Sequence, residues 1–339
     1  MKVLVTGSEG YIGSSLVQVL INEGFEVTGM DTNYYADGAL YETQLKEYHF
    51  IKKDIRTITP RDLEGFEAVV HLAELSNDPL GQNDPELTLE INHKGTRNLA
   101  ESAKTAGVHR FLYFSSCSVY GASDAVSDEN SPTNPQTAYA RSKILNENML
   151  QTMADDTFHP TIFRNATVFG ASRRMRFDLV INDLSASAYI YKIIKMSSDG
   201  TPWRPFVHVL DVSKAVVMTL NLPVRTVHNQ LFNVGSDDNN YQIKNIAEII
   251  AGVFPGCTTE FGDSSGDTRN YRVGFKKITE VLPGYFCDWN VKKGAEELKG
   301  IFESINMSEE TYKSRLYTRL KQIEYLKENH KVDDHLYWI

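Results

Sequence analysis

Cysteine is scarce in this 339-residue chain, and the three present, Cys117, Cys257 and Cys287, lie far apart. None stands at metal-ligand spacing from another, so no metal site is expected, and an odd, scattered set predicts free thiols in a reducing, cytoplasmic setting. No apolar run approaches the roughly 20 residues of a membrane span, and the chain enters a strand at Lys2-Val3-Leu4-Val5 with no leader-like segment before it. No Lys/Arg-rich block offsets the formal net charge of -9, which excludes the footprint of a nucleic-acid binder. An anionic ligand would have to find its cations in a few local arginines. Repeats and low-complexity tracts are also absent.

What remains is the composition of an ordinary globular protein, 41% hydrophobic and 23% charged, long enough for one large α/β domain or two sharing a cleft. Short apolar strands alternate with helical segments. A strand at 3–5 leads through Thr6-Gly7-Ser8-Glu9-Gly10-Tyr11-Ile12-Gly13 into a helix at 14–22. Glycines between a strand and a helix allow a tight turn, and the helix N-terminus behind them favours phosphate. A second strand, 26–30, ends at Asp31, where a carboxylate can accept hydrogen bonds from an adenosine ribose and repel a 2′-phosphate. This pattern reads as NAD rather than NADP. Further strands at 49–52, 68–72 and 110–115 and helices at 86–106 and 139–153 continue the alternation. The fold expected is a doubly wound parallel Rossmann-type α/β sheet, with ligands at the carboxyl ends of its strands.

The chemistry concentrates between Phe114 and Lys143. Ser116 ends the strand, and Tyr139-Ala140-Arg141-Ser142-Lys143 opens a helix on which positions 139 and 143 share a face. Moving a phenol from a pKa of about 10 to about 7 takes roughly 4 kcal/mol. One ammonium about 4 Å away, at an effective dielectric of about 20, supplies energy of that order. Tyr139 is therefore a candidate acid/base. A Tyr-x-x-x-Lys pair alone also recurs by chance on surface helices; the strand-end placement of its companions gives it weight here.

These segments resemble an extended short-chain dehydrogenase/reductase, of the nucleotide-sugar epimerase/dehydratase family. The resemblance rests on Thr6-Gly7-x-x-Gly10-x-x-Gly13, Asp31, Asp54-Ile55-Arg56, His71-Leu72-Ala73, Asn92, Ser115-Ser116-x-x-Val119-Tyr120-Gly121 and Tyr139-x-x-x-Lys143. It continues through Arg164-Asn165, Val168-Phe169-Gly170, the stretch 204–212 and Phe232-Asn233-Val234-Gly235, in the family's order over about 1–290. It implies NAD bound by Gly7, Gly10, Tyr11, Ile12, Gly13, Asp31, Asp54, Ile55, Leu72, Ala73, Tyr139 and Lys143. It implies catalysis by Ser116, Tyr139 and Lys143. It further implies a nucleotide-sugar substrate held by Ser116, Cys117, Ser118, Asn165, Arg176, Asn182, Arg204 and Arg269.

The implied organisation is an NAD-binding domain over 1–165, with later segments around 204–235 returning to it. Residues 166–339 then form a smaller α/β substrate domain ending in a C-terminal helix. The helix expected at 308–329 packs its apolar stripe, Tyr312, Leu316, Leu320, Ile323 and Leu326, on the substrate domain. Trp203 and Tyr271 are packing residues or line a nucleobase site, and His208 is a buried, satisfied histidine. A homodimer through the helices at 86–106 and 139–153 is expected from the family.

The reaction is narrowed by departures from the family pattern. The 4,6-dehydratases carry an Asp-Glu pair after the serine or threonine, where this chain has Cys117-Ser118. A 3,5-epimerase of the family uses a cysteine where Ser118 stands. A 4-epimerase and a 4-keto-sugar reductase both need only Ser116, Tyr139, Lys143 and the nicotinamide. Asp31 argues against the NADPH that biosynthetic reductions usually draw on, which places a 4-epimerase ahead of a reductase and an atypical dehydratase third. A nucleotide-binding sensor of the same fold is the reading outside enzymes, and such proteins typically lose the tyrosine or the lysine that stand here.

Overall fold

The computed structural model describes residues 1–76, 84–263 and 269–339. Seven strands form an all-parallel central sheet: β1 Lys2–Thr6, β2 Glu26–Asp31, β3 His49–Lys52, β4 Ala68–His71, β5 Arg110–Ser116, β6 His159–Asn165 and β7 Gln230–Val234. Their spatial order is β7-β6-β5-β4-β1-β2-β3. The order reverses at β1, so a crevice opens beyond the carboxyl ends of β1 and β4, the usual ligand position in a doubly wound sheet. The central strands are apolar on both faces: Val3, Leu4, Val5, Val69, Val70, Phe111 and Phe163 have no solvent exposure. Burial of this kind is what a parallel sheet covered by helices on both sides requires.

The loop after β1 closes only because of its glycines. Gly7 has φ of +74°, and a Cβ built there would lie 2.8 Å from the Ala73 backbone nitrogen. One on Gly13 would lie 2.0 Å from the Gly7 carbonyl oxygen. The helix Tyr11–Asn22 thus starts directly against the turn, and Gly10 at its N-cap offers no capping side chain.

Beyond β6 the chain builds a second layer. Thr167–Phe169, Trp203–His208 and Asn240–Gln242 form a three-stranded sheet, and the helices Val180–Tyr191, Ile243–Val253 and Val291–Ser304 pack around a cluster that includes Phe177, Phe206, Ile250, Leu298 and Phe302. The helix Val209–Asn221 packs beside the helix Tyr11–Asn22, its Val212, Ala215 and Val216 clustering with Leu16 and Val17 against the central sheet. No helix of the described residues is long and apolar enough to cross a membrane.

Two elements differ from the sequence expectation. The helix expected at 86–106 is α-helical over Pro85–Leu89 and Thr96–Thr105, with a π-helical stretch, Glu90–Gly95, between them. The wider turn lets Asn92 reach the Leu75 backbone twice, accepting from its N–H at 2.8 Å and donating to its carbonyl at 3.0 Å. The C-terminal helix expected at 308–329 is three pieces, Glu309–Lys313, a 3-10 turn Arg315–Tyr317, and Arg319–Glu328. Ser308 and Ser314 each accept a backbone N–H at the start of a new piece, at 3.1 and 3.3 Å, and so restart the chain. Its apolar stripe is divided accordingly. Tyr312 and Leu316 pack on the second layer as expected, joined by Tyr317, whereas Leu320, Ile323, Leu326, Val332 and Leu336 pack with Tyr34, Leu75, Leu87 and Ile91 beside the central sheet.

Candidate active site

A cavity of about 580 Å³ runs from the glycine turn to the second layer. It is lined by every residue expected to hold the cofactor: Gly7, Gly10, Tyr11, Ile12, Gly13, Asp31, Asp54, Ile55, Leu72, Ala73, Tyr139 and Lys143. The chemistry of this wall fits a dinucleotide. The uncapped N–H groups of the helix Tyr11–Asn22 face an anion's place, and small Gly7, Gly10 and Ala73 leave room for a close backbone approach. Asp31 accepts from the Glu9 N–H at 3.1 Å and the Asn33 N–H at 2.8 Å, which pins its carboxylate at the end of β2.

Tyr139 and Lys143 stand on the helix Ala138–Met153, whose N-cap Thr137 accepts from the Ala140 N–H at 3.1 Å. The helix is fixed to the sheet one turn further on. Glu147 takes a two-pronged ion pair from Arg164 of β6, with Nε–Oε1 at 3.0 Å and Nη2–Oε2 at 2.6 Å, and also accepts from the Ser115 hydroxyl. Both partners are buried, so the pair sets position more than it adds stability. Positions 139, 143 and 147 thereby all turn toward the ends of β5 and β6.

Lys143 is almost wholly buried. Its ammonium lies 5.2 Å from the centre of the Tyr139 ring, donates to the Phe114 carbonyl at 2.5 Å and contacts the carboxylate of Glu74. Burial pushes the Lys143 pKa down, but Glu74 together with Tyr139 and Glu147 pushes it up, and the net direction is upward. Glu74 is held in turn by the Tyr113 hydroxyl at 2.8 Å and more weakly by the Asn146 amide at 3.3 Å. The sequence pattern did not single out Glu74, although it directly succeeds His71-Leu72-Ala73.

Of the residues expected at the substrate, Ser116, Ser118, Asn165, Arg176, Arg204 and Arg269 line the cavity. The Ser118 hydroxyl and the Asn165 Oδ1 are buried without a hydrogen-bond partner among the described residues, as expected of groups reserved for a ligand. Cys117 and Asn182 are corrections. The turn Cys117–Tyr120 carries the Cys117 thiol into the core, where it donates to the Arg164 carbonyl at 3.2 Å and burial pushes its pKa up. Asn182 is fully buried and braces the loop instead, with its Oδ1 accepting from Gly170 N–H at 3.1 Å and its amide donating to the Arg176 carbonyl and the Tyr11 hydroxyl.

Tyr271 lines the cavity beneath the Arg204 guanidinium, 5.2 Å from its ring centre, while Trp203 does not. Asp267, which precedes Arg269, lies outside the described residues. His208 is fully buried, stacked on Trp289 and 2.9 Å from Glu297, as the sequence predicts. Tyr34, Tyr35, Asp178 and Arg319 also line the cavity. The last comes from the C-terminal helix Arg319–Glu328, and no local sequence signal marks it. Among the described residues no group of three or more potential ligands gathers for a metal ion.

The family described as NAD dependent epimerase/dehydratase matches residues 3–235. A UDP-glucose 4-epimerase of Mycolicibacterium smegmatis is 30% identical over 83% of this chain and 92% of its own. A UDP-glucose 4-epimerase of Bacillus subtilis is 26% identical over 88% of this chain and 94% of its own. Among solved structures, MoeE5 in complex with UDP-glucuronic acid and NAD superposes with a TM-score of 0.77 at 27% identity, covering 90% of this chain and all of that one.

Proposed function

This chain belongs to the NAD dependent epimerase/dehydratase family, and from that premise we propose that it is a UDP-sugar 4-epimerase. The observation that carries the reading is the fate of the two side chains next to Ser116. The thiol of Cys117 is buried in the core and only the hydroxyl of Ser118 faces the cavity, so no carboxylate pair stands where elimination of water would need an acid and a base. Besides Asp31 and Asp54 at the ends of β2 and β3, the carboxylates of the described lining are each paired, Glu74 with Lys143 and Asp178 with Arg176. The relatives named 4-epimerases, which match the chain over most of its length, point the same way.

In this mechanism Ser116 hydrogen-bonds the C4 hydroxyl of the sugar and Tyr139 accepts its proton as C4 is oxidised to a ketone. Lys143 holds the nicotinamide ribose and adds positive charge beside the phenolate. The nicotinamide, when bound, supplies the hydride acceptor and donor. The ketosugar turns over in the cavity, and Tyr139 returns the proton to the C4 oxygen as C4 is reduced on its other face, so no net oxidation remains. The orphaned Ser118 hydroxyl and Asn165 carbonyl oxygen receive sugar hydroxyls in either orientation. Arg204 and Arg269 hold the sugar-nucleotide pyrophosphate. The NAD-binding part is assigned to 1–165 with later segments around 204–235 returning to it, and the substrate part to most of 166–339. A homodimer pairs through the helical stretches at 86–106 and 139–153, the second of which exposes Leu145.

The test is to denature the purified protein, identify any nucleotide released, and follow the native protein with UDP-glucose, UDP-galactose and UDP-glucuronic acid by NMR. The expected result is about one NAD per chain and interconversion of C4 epimers with no net change at the NADH absorbance band. A protein without nucleotide that oxidises added NADH only with a 4-keto sugar is a reductase, and this outcome overturns the epimerase.

A further inference from the structure

The C-terminal segment completes the cofactor site. Arg319 is 4% exposed, lines the cavity, and lies over the Tyr35 ring at 4.0 Å. Its guanidinium makes one hydrogen bond among the described residues, to the Arg174 carbonyl at 3.3 Å, and no ion pair. Arg176, beside it, has its own carboxylate in Asp178 at 2.8 Å. A buried guanidinium with donors to spare, facing a cavity, is an anion site without its anion.

Its position selects the anion. Arg174, whose carbonyl fixes Arg319, pairs its own guanidinium with Glu9 in the glycine turn at 2.5 Å. Tyr35 comes four residues after Asp31 at the end of β2, and the Asp31 carboxylate acts electrostatically on Arg319. Burial and the neighbouring Arg176 charge lower the Arg319 pKa to about 10, against the opposing effects of Tyr35, Asp178 and Asp31. Arg204 and Arg269 form a separate cluster with Tyr271, joined by a hydrogen bond from Arg204 to the Arg269 carbonyl.

The last ten residues extend the same contact. Trp338 donates to the Thr32 carbonyl at 2.6 Å and lies under the Lys52 ammonium at 4.0 Å. Tyr337 lies under the Arg56 guanidinium at 3.8 Å, and Arg56 also donates to the His335 carbonyl at 2.8 Å. Leu336 is buried and its carbonyl accepts from the Tyr34 hydroxyl. The partners Thr32, Tyr34 and the Asp54 that Arg56 grips adjoin or line the adenosine end of the cavity.

We propose that Arg319 binds the pyrophosphate of the dinucleotide and that residues 330–338 strap the adenosine end, so that NAD stays bound from one turnover to the next. This inference rests on the NAD site of the family and suits a reaction that oxidises and reduces the same sugar, since such a reaction never needs fresh cofactor.

The experiment uses the full-length protein, Arg319→Met, Arg319→Lys and a chain ending at Asn329. Each is measured for NAD retained after gel filtration, for exchange of bound NAD with isotope-labelled NAD, and for UDP-glucose affinity by calorimetry. Loss of a charge-assisted contact predicts exchange about tenfold or more faster in Arg319→Met and in the shortened chain. Arg319→Lys keeps the charge without the fork and falls between. UDP-glucose affinity stays within about twofold, because its pyrophosphate has its own arginines. Unchanged NAD retention and exchange in Arg319→Met overturns the proposal, as does weaker UDP-glucose binding with unaltered NAD exchange. If Arg319→Met does not fold, wild-type exchange in both Arg319→Lys and the shortened chain overturns it equally. None of these readouts needs turnover, so slow NAD exchange in a protein inactive on every nucleotide sugar sustains the strap while rejecting the epimerase.

Discussion

The ammonium of Lys143 is clasped by the buried carboxylate of Glu74, and both line the cavity. In the proposed mechanism, where the lysine charge favours a neighbouring phenolate, that charge is thus partly neutralised by Glu74. Replacing Glu74 by Gln removes the negative charge and keeps the hydrogen bonds to Tyr113 and Asn146. The phenolate of Tyr139 then gains relative to the phenol, so the limb of the pH–rate profile that rises with phenolate moves to lower pH, by on the order of one unit. A profile that overlays the wild type rules out electrostatic control by Glu74. Stability falls as well, because Lys143 loses its buried partner.

Tyr139→Phe removes the only hydroxyl assigned to proton transfer and leaves the ring in place. Turnover should fall by about 10²–10⁴-fold, while NAD released on denaturation stays near the wild-type ratio. A variant with wild-type turnover excludes Tyr139 as the acid/base; one that loses NAD together with activity makes it a binding residue.

His71, at the end of β4, is bridged between the hydroxyls of Thr6 at 2.7 Å and Thr96 at 2.8 Å. Burial pushes its pKa down to about 3, against about 6.5 in an unfolded chain. Between those values the unfolded chain binds one more proton than the folded one, so stability rises with pH across the window. It is fully present above about 6.5 and is lost on acidification by about 1.4 kcal/mol per pH unit. Urea unfolding at pH 7.5 and 5.5 measures it. The loss between these values should be smaller by about 1.4 kcal/mol in His71→Asn than in the wild type; equal losses show that His71 titrates normally in the folded state.

The strand-end pattern made the parallel sheet and its ligand side legible, because glycines at 7, 10 and 13, Asp31 and Ser116 each come after a short apolar run. Helical spacing put Tyr139 and Lys143 on one face, and the strand-end placement of their companions singled the pair out; both line the cavity. Cys117 was misplaced among the substrate residues because the strand pattern gives no warning of the 3-10 turn that rotates it into the core. Asn182 was misplaced for a similar reason: its amide is taken by the Tyr11 hydroxyl and two backbone groups, distant contacts that no local period encodes. Glu74 was within reach, since a carboxylate at the end of β4 must face either solvent or the lysine. Arg319 was not, because only the break of the C-terminal helix at Ser314 and Thr318 brings residues 319–338 onto β2 and β3.

The glycine turn offers a test in which two substitutions of the same kind have opposite signs. At Gly13 an added methyl would lie 2.0 Å from the Gly7 carbonyl oxygen, and that oxygen belongs to the backbone that receives the helix, so it has nowhere to yield. Gly13→Ala should cost about 3 kcal/mol, the upper end of overpacking costs, and lower the NAD retained, because the turn and the uncapped helix N-terminus must move apart. Gly252, in the helix Ile243–Val253, has nothing within 4 Å of its built Cβ. Gly252→Ala should stabilise by about 0.5–1 kcal/mol through helix propensity alone and leave NAD content unchanged. Chemical unfolding with a nucleotide assay on both variants decides the matter. If Gly13→Ala is as stable and as NAD-replete as the wild type, the close seating of helix on turn is not what holds the site.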